Sequence, residues 1–357
     1  MNELIPFLKE LLVVPGLSGY EDPASEIISA KWKPLVHQLS SGRLGSLQGL
    51  RRGRGKSPRP SVLVAAHMDT IGLMVTGCTE GFLRITHVGG VDIRILPGTL
   101  VTVCCTASGG KRSIPGVVVQ PPASLLPPDV GTNPVPLENL FVDTGLPPVS
   151  VSALVQVGDL VSFAQPPLEM KGDALAGHSL DNRVSVAALT VCLEELQSRP
   201  HDWDVWAVAT TQEEVGGVGA TGSTYQLNPS IAIAVDVTFA KGPGANDWQT
   251  LPLGKGPTLC MGPNIHPALL KVMKDLAVRL EIPFSQEYAP RHTGTDGYAT
   301  QVVAGGIPTL VIEIPLRYMH TPVEVVSIKD IQRAGRLMAE FITGLEPDFI
   351  KKITWDD

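Results

Sequence analysis

The spacing of apolar residues divides the chain into stretches of different texture. Residues 3–13 and 22–34 carry apolar side chains at helical intervals, separated by Pro-Gly-Leu-Ser-Gly at 15–19. The continuous apolar run 61–66 stops at His67-Met68-Asp69, the pattern of a buried strand whose C-terminal end meets a polar site. From about 73 to 164 helical periodicity disappears. Short strand-like pieces at 71–76, 82–88, 99–105, 116–119, 149–154 and 160–163 are divided by glycines and by a proline-rich stretch from 121 to 148. The α/β rhythm then returns. The spacing predicts a helix over 183–196 and a strand over 204–211 that ends in Gln212-Glu213-Glu214, followed by a glycine-rich loop. A strand over 231–235 ends in Asp236, and a helix over 267–280 follows it. A strand over 309–314 leads to His320, and the last helix covers 328–343. The expected fold is α/β: a mixed, mainly parallel sheet sandwiched by helices, with an inserted small β-barrel-like domain. The main domain falls in two parts, 1–72 and 165–357, around an insert at 73–164.

Composition narrows the function classes. Two units suit a chain of 357 residues, and 43% hydrophobic against 18% charged residues leaves material for a large core. A net charge of −7 and a pI near 5.6 argue against nucleic acid as a partner, which requires a clustered basic surface. The basic cluster Arg51-Arg52-Gly53-Arg54-Gly55-Lys56 reads as a solvated loop. The first residues lack the basic segment of a signal peptide, and no apolar run reaches about 18 residues, so no membrane association is expected. Five cysteines (Cys78, Cys104, Cys105, Cys192, Cys260) form no Cys-x-x-Cys pair. They point to a reducing, cytoplasmic compartment and to thiols that pack.

Open α/β sheets gather ligands beyond the carboxyl ends of their strands. Three expected strands end in potential metal ligands, His67, Glu213-Glu214 and Asp236, and His320 follows a fourth. Asp181 precedes a helix, where taken alone it reads most simply as an N-cap and only in company with the others as a ligand. Two adjacent carboxylates after the buried-strand sequence Val-Ala-Thr-Thr repel each other unless a cation compensates, and Asp236 poses the same problem within Ile-Ala-Val-Asp-Val. Nitrogen and carboxylate ligands of this kind suit Zn²⁺ or Co²⁺.

Seven motifs in order carry a resemblance: Pro-Gly-Leu-Ser-Gly-Tyr-Glu at 15–21, His-Met-Asp-Thr-Ile-Gly-Leu-Met-Val at 67–75, Leu-Asp-Asn-Arg at 180–183, Thr-Gln-Glu-Glu-Val-Gly at 211–216, Ala-Val-Asp-Val-Thr at 234–238, Gly-Thr-Asp-Gly at 294–297 and Arg-Tyr-Met-His at 317–320. Through them nearly the whole chain resembles the cobalt- or zinc-dependent glutamyl aminopeptidases, the TET family, some members of which carry an endoglucanase label. The resemblance implies an enzyme with two divalent ions, zinc or cobalt, per subunit. His67 and Asp236 would hold one, Glu214 and His320 the other, with Asp181 as the bridge. It further implies that Asp69 orients His67 and that Glu213 is the general base. Peptides with a free N-terminus would be the substrates, and the inserted domain would build a homo-oligomer, from dimer to dodecamer.

Some positions depart from the family pattern. Thr70 stands where Glu is more frequent, Asn182 replaces a second Asp, and the Gly/Arg/Ser-rich loop 41–58 replaces an Asp-x-x-Gly-Asn pattern. His178, three residues before Asp181, reads as a loop residue and not a ligand. Asp296 admits two readings, substrate contact or helix cap. Arg317 likewise pairs either with an acidic substrate side chain or within the protein. Competing functions are a catalytically silent scaffold, or a di-metal deacylase or carboxypeptidase. The last would use Arg291 or Arg317 for the terminal carboxylate.

Overall fold

The computed structural model describes residues 3–107, 112–125, 134–353 and 355. The middle of the proline-rich stretch, 126–133, lies outside the described residues. The chain opens with helices α1 (Leu4–Leu12) and α2 (Asp22–Trp32) and strands β1 (Gln38–Ser41), β2 (Leu47–Arg51) and β3 (Ser61–His67). Strands β4 (Gly72–Thr79), β5 (Phe82–Val88), β6 (Leu100–Cys105), β7 (Arg112–Val119) and β8 (Phe141–Asp143), helix α3 (Pro148–Leu154) and strand β9 (Leu160–Phe163) follow. Next come β10 (Leu168–Met170), β11 (Ala174–Gly177), α4 (Leu180–Leu196), β12 (Asp204–Thr210), α5 (Val218–Leu227), β13 (Ile231–Phe239) and β14 (Thr258–Met261). The last elements are α6 (Pro267–Arg279), β15 (Ser285–Tyr288), α7 (Asp296–Gln301), β16 (Thr309–Arg317), β17 (Glu324–Ser327) and α8 (Ile328–Thr343).

Eleven strands form one mixed sheet in the order β1-β2-β12-β3-β13-β16-β17-β11-β10, with β14 joined to β16 and β15 to β14. Its centre, β12-β3-β13-β16, is parallel, and antiparallel strands flank it. In β3 alternate residues serve opposite faces: Val62, Val64 and Ala66 enter the main core, while Leu63 and Ala65 enter a smaller one beneath Ile307. Strands β4, β5, β8, β7, β6 and β9 close into a separate antiparallel barrel with its own core around Leu73, Val103, Val142 and Val161. Helix α4 is buried around nearly its whole circumference because it lies between the sheet and α8. Among the described residues, no helix is long and apolar enough to cross a membrane.

Five local expectations are corrected. Residues 149–154 form helix α3 and not a strand. The alternation Val-Ser-Val-Ser imitates a strand, but Pro148 at the first turn presets helical φ, and Val151 alone is buried. Residues 47–51, read as loop, pair with β12 as strand β2. Arg51, read as part of a solvated loop, points inward and donates to the carbonyl oxygens of Leu35 at 3.0 Å and Leu196 at 2.6 Å. Asp236 does not end its strand: β13 continues beside β16 to Phe239, whereas its pairing with β3 stops at Ala234. Part of the glycine-rich loop after Glu214 is helix α5.

Close approach of α4 and α8 depends on Gly335. A Cβ there would lie 2.5 Å from the Ala188 carbonyl oxygen and 2.7 Å from Val191 Cβ. Gly335→Ala is therefore expected to destabilise the fold by about 1–3 kcal/mol despite the better helix propensity of alanine. Denaturant unfolding checks this, and a more stable variant would show that the interface opens freely.

Candidate metal centre

Each candidate ligand reaches the site on its own element. His67 is the last residue of β3, and Glu213 and Glu214 follow β12. Asp236 lies on β13 past the point where β3 leaves it, so its flank opens onto the cleft. Asp181 stands at the irregular start of α4: Ser179 is left-handed (φ 62°) and Asp181 extended (φ −75°, ψ 107°). Thus Asp181 is no conventional cap residue. His320 follows β16 with φ 62°, and the backbone of Gly90, from the barrel side, hydrogen-bonds its ring.

These side chains converge. His67 Nε2 lies 3.2 Å from Asp181 Oδ1, 3.7 Å from Asp236 Oδ1 and 3.9 Å from Glu213 Oε2. His320 Nε2 lies 3.4 Å from Asp181 Oδ2 and 3.5 Å from Glu214 Oε2. Asp181 therefore offers one oxygen to each histidine. His67, Asp181 and Glu214 each present an atom within 4.8 Å of the others. All six residues line a cleft of about 570 Å³.

Asp69 holds this arrangement from behind. Fully buried, it accepts from Ser18 Oγ at 2.7 Å and from the backbone N–H groups of Glu213 at 3.0 Å and Glu214 at 3.2 Å, while His67 Nδ1 lies 3.5 Å away. Burial works to raise its pKa, but His67 and these donors overcome it and leave it below the ordinary carboxylate range. Glu324 does similar work and had been overlooked. It is buried, and its two oxygens accept the backbone N–H of His320 at 3.0 Å and of Asp181 at 3.1 Å.

The cluster is electrostatically incomplete as protein alone. Burial, then neighbouring carboxylates, pushes Glu213 up to about 9 and Glu214 well above its usual value, and burial raises Asp236. Burial opposes charge on His67, yet Asp181, Asp236 and Asp69 hold its pKa well above normal. Glu214 Oε1 is buried without a hydrogen-bond partner. None of the described residues lining the cleft is Lys or Arg. A largely buried set of carboxylates and two imidazoles in this state fits divalent cations.

The remaining candidates fall elsewhere. Thr295 caps α7 by accepting from Gly297 N–H, so Asp296 is not the cap. Asp296 accepts from Thr210 Oγ1, and burial pushes its carboxyl to about 7, the site's charges contributing. Arg317 does not line the cleft; its Nε donates to the Lys241 carbonyl at 2.6 Å. His178 is absent from the cleft and contacts Ser179 Oγ at 2.6 Å. Two cleft residues were missed, Glu287 and Glu313. Glu313 interrupts the apolar strand Thr-Leu-Val-Ile-Glu-Ile, the same signal that marked Asp236.

Fold and cluster together define the class, a mixed-sheet α/β protein with a cleft suited to divalent ions. Over residues 45–337 the chain matches the family described as M42 glutamyl aminopeptidase. It is 32% identical over 347 residues to the lysyl aminopeptidase of Pyrococcus furiosus, covering 95% of this chain and 97% of the relative. A TET aminopeptidase structure from a marine-sediment Thaumarchaeota archaeon superposes with a TM-score of 0.92 at 27% identity, covering 99% of both chains. The Pyrococcus horikoshii TET1 peptidase, described as assembling into a tetrahedron or a large octahedral shell, has a TM-score of 0.83 at 28% identity, covering 96% of this chain and all of that one. The chain belongs to the M42 aminopeptidase family.

Two predictions follow from the residues behind the cluster. In Asp69→Asn either orientation of the amide sets an NH₂ against a backbone N–H, because each carboxylate oxygen accepts one. The expected loss is about 2–4 kcal/mol in denaturant unfolding of the metal-free protein; a change under about 0.5 kcal/mol would mean the network is not needed. His178 is held neutral by burial, then by Arg183, with its pKa lowered to about 3. Its contribution is intact above pH 6.5 and falls as the unfolded chain takes up a proton that the folded chain refuses, by up to about 1.4 kcal/mol per pH unit between pH 6.5 and 3. The stability advantage of wild type over His178→Asn should thus shrink by about 2 kcal/mol from pH 7 to 5, as urea titrations at both pH values would reveal.

Proposed function

We propose that this protein is a metal-dependent aminopeptidase that uses two divalent ions, zinc or cobalt, and Glu213 as proton carrier. The observation that supports two ions is Asp181, whose oxygens face different histidines 3.2 and 3.4 Å away. His67 and Asp236 would hold one ion, His320 and Glu214 the other, and Asp181 both. When bound, the ions supply Lewis acidity that acidifies a water and stabilises charge on the carbonyl oxygen. Glu213 takes the proton from the attacking water and returns it to the departing nitrogen as the C–N bond breaks. Neutralising the surrounding carboxylates leaves Glu213 ionised and able to accept that proton. Asp69 keeps Glu213 and Glu214 pointing apart by holding their N–H groups on separate oxygens. Asp296, beside this cluster, supports its charge balance from the second layer.

The acidic cleft suits a peptide with a free α-amine. A carboxypeptidase needs a cation for the terminal carboxylate, and neither Arg291 nor Arg317 lines the cleft. The assemblies named for the TET relatives support a homo-oligomer, in which the inserted barrel is the proposed contact surface. Five free cysteines suit action in the cytoplasm.

The test is a panel of aminoacyl-p-nitroanilides, assayed on metal-stripped protein before and after adding Zn²⁺ or Co²⁺. Release should return with metal from free-amine substrates and remain absent with N-acetylated ones. Glu213→Gln should bind about two ions per chain with unchanged unfolding behaviour, yet lose at least about a thousandfold in kcat. Full turnover in that variant would remove Glu213 from the mechanism; silence of the wild type with every metal would favour a scaffold or another substrate class.

A further inference from the structure

The relatives disagree about the side chain they remove: the family description says glutamyl, and a relative is called lysyl. The cleft of this chain speaks to that choice beyond the metal ligands. Glu313 on β16 stands in register with Asp236 on β13, one strand-spacing, about 4.8 Å, from the cluster. It is 4% exposed, lines the cleft, and its Oε2 is buried without a hydrogen-bond partner. Glu287 on β15 lines the same wall, close enough for its charge to act on Glu313, and accepts from Thr238 Oγ1. Phe239, Met319 and Tyr298 supply apolar surface in the same cleft. Two carboxyls within each other's reach, with Glu313 buried and Glu287 half-buried, repel unless a proton or a cation comes between them. No lysine or arginine among the described cleft residues supplies one.

Resting on the aminopeptidase reading, we propose that Glu287 and Glu313 form the pocket for the first side chain of the substrate and select a cationic one, lysine foremost. The long methylene stem of lysine would lie along the apolar wall and its ammonium group would reach the carboxylate pair. An N-terminal glutamate would bring a third negative charge to the same wall. A neutral stem of equal length would leave both carboxyls without their partner, the situation in which sites discriminate most strongly.

The deciding comparison is lysine against norleucine, which keeps the stem and removes the charge. With metal-loaded, full-length protein, kcat/KM for the lysyl p-nitroanilide should exceed that for the norleucyl one by at least about a hundredfold, with the glutamyl substrate slowest. Glu287→Gln and Glu313→Gln should each narrow the lysine-to-norleucine ratio at least about tenfold while binding as many metal ions as wild type. Calorimetry on metal-loaded Glu213→Gln supplies a readout free of turnover, in which L-lysinamide should bind more tightly than L-norleucinamide. Equal or better use of norleucine or glutamate would overturn the pocket while leaving the aminopeptidase standing, because the pair would then share a proton and act as a neutral wall. Loss of a metal ion in Glu313→Gln would also overturn it, by making Glu313 a ligand. Absence of any hydrolysis would instead sink the aminopeptidase reading, and the calorimetric order would then decide the pocket alone.

Discussion

Asp69 has no exposed surface, yet both of its oxygens are occupied by groups that the chemistry needs. One receives the N–H of Glu213, the other the N–H of Glu214 and the hydroxyl of Ser18, and the ring of His67 stands beside them. A buried carboxylate is tolerable only when donors and charge surround it, and here the donors are the backbone of the very loop that carries the proposed base and a proposed ligand. The energy that keeps Asp69 ionised is therefore the same energy that fixes the Glu213-Glu214 bend. Glu324 holds the backbones of Asp181 and His320 on the other side, although burial and then Asp181 raise its own pKa well above normal, unlike that of Asp69. Backbone anchoring matters because the ligand side chains repel one another; without it the acidic ends would swing away into water.

The insertion is part of this machinery and not an ornament on it. Strand β4 begins at Gly72, three residues after Asp69, so the chain leaves the sheet for the barrel directly from the site. It also comes back to touch the site. A Cβ on Gly90 would lie 2.9 Å from His320 Nδ1, and one on Gly89 would meet Glu214 Cβ at 3.4 Å. A side chain at 90 would displace the histidine, so this loop of the barrel packs directly against His320.

Much of the fold was legible because it is written in apolar periodicity. The parallel strands and helices α6 and α8 announce themselves this way, since tertiary burial and local pattern agree, whereas α4 is apolar nearly all round. Legibility failed where local pattern and context diverge. In Val-Ser-Val-Ser-Ala-Leu the alternation suggests a strand, but the prolines before it set a helical start. In Leu-Gln-Gly-Leu-Arg the strand is made by pairing with β12, and no side-chain pattern advertises it. At the site, the residues next to strand ends were readable because ligand-bearing edges follow from topology. Glu313 shows the limit: a carboxylate inside an apolar strand is visible, but what it faces is set by the register of β16 against β13.

That register separates two uses of negative charge on one face of the sheet. Along β13, Asp236 looks toward the histidines, and Thr238, two residues on, hydrogen-bonds Glu287. Residues two apart on a strand share a face, so the metal-facing and pocket-facing groups sit side by side within one cleft. Histidines accompany the carboxylates in the first group, whereas in the second Glu313 faces Glu287, which also accepts from the Thr238 hydroxyl. Imidazole and carboxylate together favour a metal ion of the zinc kind, whereas a carboxylate pair with an apolar wall favours an ammonium group on a hydrocarbon stem. On the proposed reading, the same sheet edge would hold the ions and measure the substrate. The two proposed roles are distinguishable because the donor atoms on each side suit different cations.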